Sequence, residues 1–493
     1  MANPGQTSPP ERSKRRPYRL TPVSETSGIT AGIDIGTTSV KAIVADGDGT
    51  VLARARVPHP IMASDDGDFT HDLNQAWRAD VLEALARVAP GLEVEAIAVS
   101  AMVPSLGAVT ADGTAAGPGL LYGDRRGFHE GGDPAVPGDG GEVLAFLAWQ
   151  AAHAPDAAGY WPAQAVANHA LCGNGSIDAG TAMTAYPLFD LERWDETLAA
   201  SAGVPTSKLA HVLEGLDPAG RVRDGLPCAG SLVAGGTVDA LAEQLVSGAT
   251  TAGDVLVLCG TTLITWAVVE GWLSAPGLWS VPHHIAHHSL IGGPSNAGGL
   301  FLDMVTRWLG PEALGGLEEL SPADLPVWLP YVRGERTPLH SRALRAGMHD
   351  VSHRHGSAHV LGAAYEATGF VVRHHIDLAR EAGFEPRRIV ATGGGTQSPP
   401  LMQALADCTG LPVDVAALPE GAALGAAFLA RCAAGLESSP RDAERWARTD
   451  RTVEPRPDWV DAAQHRYHRF RTLTAKAISE LEESPPDAPA QPG

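Results

Sequence analysis

The sequence contains no run of about 18 apolar residues, so no segment is expected to span a bilayer. Cysteine is scarce: Cys172, Cys228, Cys259, Cys408 and Cys432 are the five in 493 residues, and no two form a C-x-x-C pair. That pattern reads as reduced, mostly buried thiols of a cytoplasmic protein. Positive charge is in deficit, with 36 Lys and Arg against 57 Asp and Glu and a formal charge of −21. An acidic surface repels the phosphate backbone and anionic lipid, so neither nucleic acid nor a membrane is an expected partner. Residues 1–27 are rich in Pro, Ser and Arg. The basic residues Arg12, Lys14, Arg15 and Arg16 are not followed by the apolar core that a signal peptide requires. This stretch reads as a disordered leader, too short and too polar for a helix-turn-helix domain, and the segment from Ser484 reads as a similar tail.

What is present is a globular chain. Hydrophobic residues make up 44%, enough for sizeable cores, and the length suggests two to four domains at roughly 100–200 residues each. The ordered part opens with alternating apolar positions on either side of a glycine-rich turn. Ile33 and Ile35 lie on a first strand and Val40, Ala42 and Val44 on a second. Asp46-Gly47-Asp48-Gly49 turns the chain into a third. Trp77, Val81, Leu82, Leu85 and Val88 follow at helical spacing. Residues from about 128 to 232 have a weaker pattern and read as an insertion. DVLVLCGTTLITWAVVEG then repeats the opening plan of strand, G-T-T and strand, which suggests two related domains facing each other. Strands alternating with helices indicate α/β layers. The helix DAAQHRYHRFRTLTAKAISELEE is expected to pack outside the core, behind a charge-rich, solvated stretch that begins at Arg441.

Three loops carry candidate chemistry. In Asp34-Ile35-Gly36-Thr37-Thr38, Gly36 allows close approach of a ligand, and Thr37 and Thr38 offer donors to phosphate oxygens. Asp34, at a strand end, suits Mg²⁺, which it would hold mainly through water. The competing reading is an ordinary polar turn. Cys259-Gly260-Thr261-Thr262 is a second such loop, and two G-T-T loops after apolar strands favour a phosphate clamp. Gly393-Gly394-Gly395-Thr396-Gln397 lies between a strand and a helix, where a base or ribose could rest on bare backbone near helix N–H groups. It does not fit G-x-G-x-x-G, so a dinucleotide fold is not supported. Asp239, in AGGTVDALAEQ, is either a proton acceptor for an attacking hydroxyl or a helix cap. His283, His284, His287 and His288, and His349, His353, His355 and His359, read as solvated loop histidines in preference to metal sites.

The motifs AGIDIGTTSVKA, GPGLLYGDRRG, VAGGTVDALAEQLVSGA, LCGTTLIT, LIGGPSNAGG, LPYVRGERTP, ATGGGTQSPPLMQALADCTGLPV and PEGAALGAAFLA, in that order, resemble the FGGY carbohydrate kinase family over nearly all of residues 30–436. The resemblance implies an α/β fold of two actin-like (RNase-H-like) ATPase domains with an interdomain cleft. The expected divisions are 28–232 (sugar-binding, first phosphate loop), 233–436 (ATP-binding) and a helical extension and tail over 437–493. It also implies ATP and Mg²⁺ as cofactors. Asp34, Gly36, Thr37 and Thr38 match the family's first phosphate loop, Gly260, Thr261 and Thr262 the second, and Gly394, Gly395 and Gln397 the adenosine site. Asp34 matches the metal position and Asp239 the catalytic base. The substrate side would include Met102, Pro104, Asp124 and Asp239, with Tyr122 where a Trp is common. Here the chain departs from the pattern. Xylulose kinases usually carry Gln-Met-His after this strand and glycerol kinases an Arg-Glu pair, whereas Pro104 stands at the position of that His. The expected activity is phosphorylation of a pentulose- or hexulose-like sugar or a polyol, with a homodimer as the candidate assembly. The alternatives are a xylulokinase proper, a non-catalytic ATP-clamp sugar sensor and an actin-like filament protein.

Overall fold

The structure, a computed structural model, describes residues 28–64, 67–127, 141–310, 312–417 and 420–483. The expected leader and tail lie outside these residues. Two seven-stranded sheets dominate. The first runs Pro218–Arg221, Leu232–Ala234, Val94–Ala101, Ile29–Ile35, Ser39–Ala45, Val51–Pro58, with Thr237–Val238 also paired to Val94–Ala101. The second runs Trp279–Pro282, His288–Ser295, Leu263–Glu270, Asp254–Cys259, Arg388–Thr392, Val413–Ala416, Thr449–Val453.

The two sheets share one plan. In the first, Ile29–Ile35 pairs antiparallel with Ser39–Ala45 and parallel with Val94–Ala101. In the second, Asp254–Cys259 pairs antiparallel with Leu263–Glu270 and parallel with Arg388–Thr392. The repeat legible in the sequence is therefore a repeat of topology. The opening turn forms as its residues dictate. The Asp46 side chain accepts from the Asp48 and Thr50 amides at 2.9 Å each, and Gly49 takes the left-handed φ of +78° that glycine adopts at little cost.

The central strand Ile29–Ile35 is buried almost throughout because both of its faces are covered. The helix Gly421–Ala433, built of Gly and Ala with few larger residues, lies against this strand, Val94–Ala101 and the helix Asp239–Ser247. Small residues let backbones approach closely there. A Cβ on Gly32 would lie 1.8 Å from the Ala423 carbonyl oxygen, and one on Gly425 1.8 Å from that of Ala242. A segment from late in the chain thus closes the sheet that the chain begins with.

The C-terminal region departs from expectation. Trp446 is buried and donates to the Gly47 carbonyl at 3.0 Å, and Thr449–Val453 adds an edge strand to the second sheet. The helix Pro457–Glu483 contributes Ala463, Tyr467, Phe470 and Leu473 to the core of the second sheet. Its arginines do not keep it outside, because Arg466 is neutralised in a buried pair with Glu366 at 2.6 Å, and the apolar face at helical spacing then packs inward.

Candidate active site

Strand register assembles the first part of the site. Asp34 sits opposite Lys41 on the antiparallel neighbour and opposite Ser100 on the parallel one. Both side chains converge on it: Lys41 Nζ lies 3.5 Å from Oδ2 and Ser100 Oγ 3.4 Å from Oδ1. These contacts are long, and burial pushes the Asp34 carboxyl above its ordinary range despite Lys41. At the corresponding place in the second sheet, before Cys259-Gly260-Thr261-Thr262, stands apolar Leu258. The repeat therefore supplies two G-T-T turns but only one carboxylate.

Asp239 opens the helix Asp239–Ser247 at the end of the short strand Thr237–Val238. The cap position is Val238, and among the described residues the Asp239 carboxylate accepts from the adjacent Ala240 amide alone, at 2.7 Å, so the cap reading of this residue does not hold. Burial first, then the nearby Asp34 and Glu243 carboxylates, raise its pKa to about 7, with Lys41 opposing. Glu243, one helical turn further on the same face, is itself raised by burial and by Asp34. Its side chain lies 2.7 Å from where a Cβ on Gly421 would be and close to the Thr392 hydroxyl. Asp34, Lys41, Asp239 and Glu243 thus form one electrostatic cluster between the two sheets.

The other loops border this cluster. The Gly260 and Thr261 carbonyls accept from the Gly299 and Leu300 amides at 2.9 and 3.2 Å. Gly393 adopts φ +85°, and a Cβ there would come within 2.9 Å of the Cys259 carbonyl oxygen, so the glycine turn is packed directly on the second G-T-T loop. A Cβ on Gly394 would meet nothing within 4 Å, leaving bare backbone beside the exposed Gln397. Gly395 is tight, 2.8 Å from the Cys259 Cβ.

The residues expected on the sugar side separate. Met102 is buried and its amide donates to the Ile35 carbonyl at 3.2 Å, which ties this segment to the first G-T-T loop. Val103 and Pro104 are half-buried, and Val103 packs with Val238, Leu241 and Val281. Asp124 is fully enclosed. Its oxygens accept from the Phe69 amide at 2.6 Å, the Arg126 amide at 3.0 Å and Arg126 Nε at 2.6 Å, so this carboxylate fixes the Tyr122 turn. The Tyr122 hydroxyl meets Thr37 Oγ1 at 3.0 Å.

The histidine loop is not simply solvated. His283 is buried, and His284 Nε2 lies 3.0 Å from Thr237 Oγ1, two residues before Asp239, with burial holding its pKa down. Irregular chain brings it there, so the sequence carried no periodic signal for it. Among the described residues no group of three or more His, Cys, Asp or Glu side chains is placed to hold a metal ion by itself. No helix among them is long and apolar enough to cross a membrane.

The chain matches the FGGY family of carbohydrate kinases, N-terminal domain, over residues 29–129 and C-terminal domain over residues 236–434. It belongs to the FGGY family. Among curated relatives it is similar to a xylulose kinase of Streptomyces coelicolor, 29% identical over 92% of this chain and 97% of the relative. It is also similar to a glycerol kinase of Rhodospirillum centenum, 27% identical over 86% and 93%. Among solved structures it resembles the xylulose kinase of Rhodospirillum rubrum, with 27% identity, a TM-score of 0.81 and coverage of 92% of this chain and 100% of that one. The kinase thus has the two-domain actin-like fold of its relatives and is an ATP-dependent sugar kinase. Lys41 and Glu243 belong to the Asp34–Asp239 cluster, and sequence reading missed both. Glu243 had a visible signal, a second carboxylate at i+4 from Asp239. Lys41 had none, because its place depends on strand register.

Proposed function

We propose that the kinase transfers the γ-phosphoryl group of ATP in line to a hydroxyl of a pentulose- or hexulose-like sugar or a polyol, with Asp239 as the proton acceptor. The observation that carries this reading is the Asp239 carboxylate itself. It is buried beside Asp34 between the two G-T-T turns, with a pKa near the working pH of a general base. Asp239 orients the hydroxyl and takes its proton as the oxygen attacks. The Thr37, Thr38, Thr261 and Thr262 turns, with Gly36 and Gly260, bind the phosphates through backbone and hydroxyl donors. Gly394, Gly395 and Gln397 receive the adenosine. Asp34 fits Mg²⁺, since its described side-chain partners, Lys41 and Ser100, lie at 3.4 to 3.5 Å, too far to satisfy its oxygens, and a hydrated cation would offset the burial of its charge. When bound, Mg²⁺ neutralises charge on the triphosphate. Met102, Pro104 and the Tyr122 turn held by Asp124 border the sugar. The Pro104 side chain offers no hydrogen bond where the family pattern has a His, so neither xylulose nor glycerol is assigned as the acceptor and a xylulokinase proper stays as an alternative. The divisions 28–232, 233–436 and 437–493, a cytoplasmic location and a homodimer complete the proposal.

The test is a panel of pentuloses, hexuloses, polyols and aldonates scored for sugar-stimulated ADP release. One class is expected to stimulate release well above idle ATP hydrolysis. If no class does, and the protein still binds both ATP and a sugar, the non-catalytic sensor replaces this reading.

The pKa of Asp239 gives a second expectation. Only the deprotonated carboxylate accepts a proton, so kcat/KM for the sugar should fall about tenfold per pH unit below about pH 7. Because the folded-state pKa is raised above 3.8, this group's contribution to stability is fully present at low pH and is lost as pH rises through about 7. A rate profile that stays flat from about pH 5.5 to 8 would remove Asp239 as the base.

A further inference from the structure

The two G-T-T loops are gripped at matching carbonyls by unlike donors. In the second loop the donors to the Gly260 and Thr261 carbonyls are the Gly299 and Leu300 backbone amides. In the first loop the Gly36 and Thr37 carbonyls are met by histidine rings. His59 Nε2 lies 3.1 Å from the Gly36 oxygen, and His71 Nε2 lies 2.8 Å from the Thr37 oxygen. The rings are buried and touch edge to face, with centroids 4.6 Å apart.

The partner of His71 fixes its proton. Trp77 Nε1 donates to His71 Nδ1 at 3.0 Å, so the single proton of a neutral His71 sits on Nε2 and points at Thr37. Burial, with His59 nearby, lowers the pKa of this ring to about 4 and keeps it neutral. His59 lies between two oxygens, Asp80 Oδ2 at 3.1 Å and the Gly36 carbonyl at 3.1 Å, and Asp80, which also accepts from Gln75, holds the ring in place beside the loop.

In a trans peptide the C=O and the following N–H point in opposite directions, and the bonds here are trans. Drawing the Gly36 carbonyl toward the buried His59 turns the Thr37 N–H away from the domain interior. Drawing the Thr37 carbonyl toward His71 does the same for the Thr38 N–H. Neither amide has a hydrogen-bond partner among the described residues. We infer that His59 and His71 are positioning residues of the phosphate site, a two-ring clamp that holds the first loop from behind so that two backbone N–H groups face the nucleotide. The second domain achieves the same grip with the first two backbone amides of the helix Gly299–Leu309. The inference rests on the proposed role of the Asp34–Thr38 turn as a phosphate loop.

The test uses the full chain, with MgADP and sugar affinities measured by calorimetry beside steady-state kinetics. His71→Phe keeps a ring of similar shape but removes the donor. The expected result is a rise of about tenfold in KM for ATP and in Kd for MgADP, roughly the worth of one oriented hydrogen bond, with sugar affinity unchanged. His71→Gln, which presents an N–H at similar reach, should recover most of the loss. Should His71→Phe fail to fold, Trp77→Phe removes the bond that sets the tautomer, and a smaller rise of about threefold in Kd for MgADP is expected. Gly36→Asp places a carboxylate on the loop itself and should abolish MgADP binding. If Gly36→Asp abolishes binding while His71→Phe, or Trp77→Phe in its place, binds MgADP as the wild type does, the clamp is overturned and the loop stands. If Gly36→Asp binds MgADP normally, both are overturned. Equal losses of sugar and nucleotide affinity in His71→Phe, not recovered by His71→Gln, reduce the histidines to general scaffolding and also overturn the inference.

Discussion

Asp239→Asn is expected to lower kcat by roughly 10²–10⁴-fold while leaving affinity for ATP close to that of the wild type. Asn keeps the size and the contact with the Ala240 amide but cannot take the hydroxyl proton. The nucleotide would be held by the G-T-T turns and the Gly393–Gln397 turn, none of which the substitution alters. The same change removes one of three neighbouring carboxylates, the one whose pKa Asp34 and Glu243 both raise. Repulsion falls, so the variant should melt at a higher temperature than the wild type above about pH 7, where Asp239 is ionised in the parent. Loss of rate with gain of stability is the signature of a functional group held in an unfavourable place. A coupled ADP-release assay and thermal melts at two pH values read both. Full turnover in Asp239→Asn on the best sugar would show that another group accepts the proton.

Gly425→Val should be among the most destabilising single substitutions in the chain. The added Cβ would lie 1.8 Å from the Ala242 carbonyl oxygen and 2.4 Å from its carbon. Both are backbone atoms, so no side chain can rotate away, and relief requires moving the helix Gly421–Ala433 off the helix Asp239–Ser247. Overpacking typically costs 1–3 kcal/mol, and a backbone clash belongs at or above about 3 kcal/mol. Because Asp239 opens the displaced helix, activity should fall along with stability. Gly394→Ala is the contrasting case. Its Cβ meets nothing within 4 Å, so the melting temperature should hold while nucleotide affinity falls. Melts and MgADP titrations of the pair separate packing from binding. A Gly425→Val protein with wild-type melting would mean that the two helices are not packed as described.

Much of this arrangement could be read from the sequence because it is local. The G-T-T turns, the Asp46–Gly49 turn and the alternating strands each announce themselves within about ten residues. The two related sheets followed from recognising one local plan twice. Features that depend on distant pairing were silent. Lys41 reaches Asp34 only through antiparallel register, and His59 and His71 reach the first loop from a strand end and a separate small sheet. Asp124 has the composition of a ligand, but whether its oxygens are free depends on Arg126 and the Phe69 amide. The C-terminal helix packs inward against expectation because its arginines mask the spacing of Tyr467, Phe470 and Leu473, and their pairing with Glu366 and Asp350 is not visible in one dimension.

The helix Gly421–Ala433 also sets a schedule for biosynthesis. The Thr30 hydroxyl donates to the Ala427 carbonyl across 397 residues of chain, and the Arg431 guanidinium reaches the Gly28 carbonyl at 2.7 Å. During translation at about 5–20 residues per second, the first strands leave the ribosome about 20–80 s before the helix that covers them is made. For that interval one apolar face of the nascent sheet has no native cover. The first half, expressed alone, would keep that face bare indefinitely and should precipitate or be held by chaperones, whereas co-expression with the second half should restore solubility.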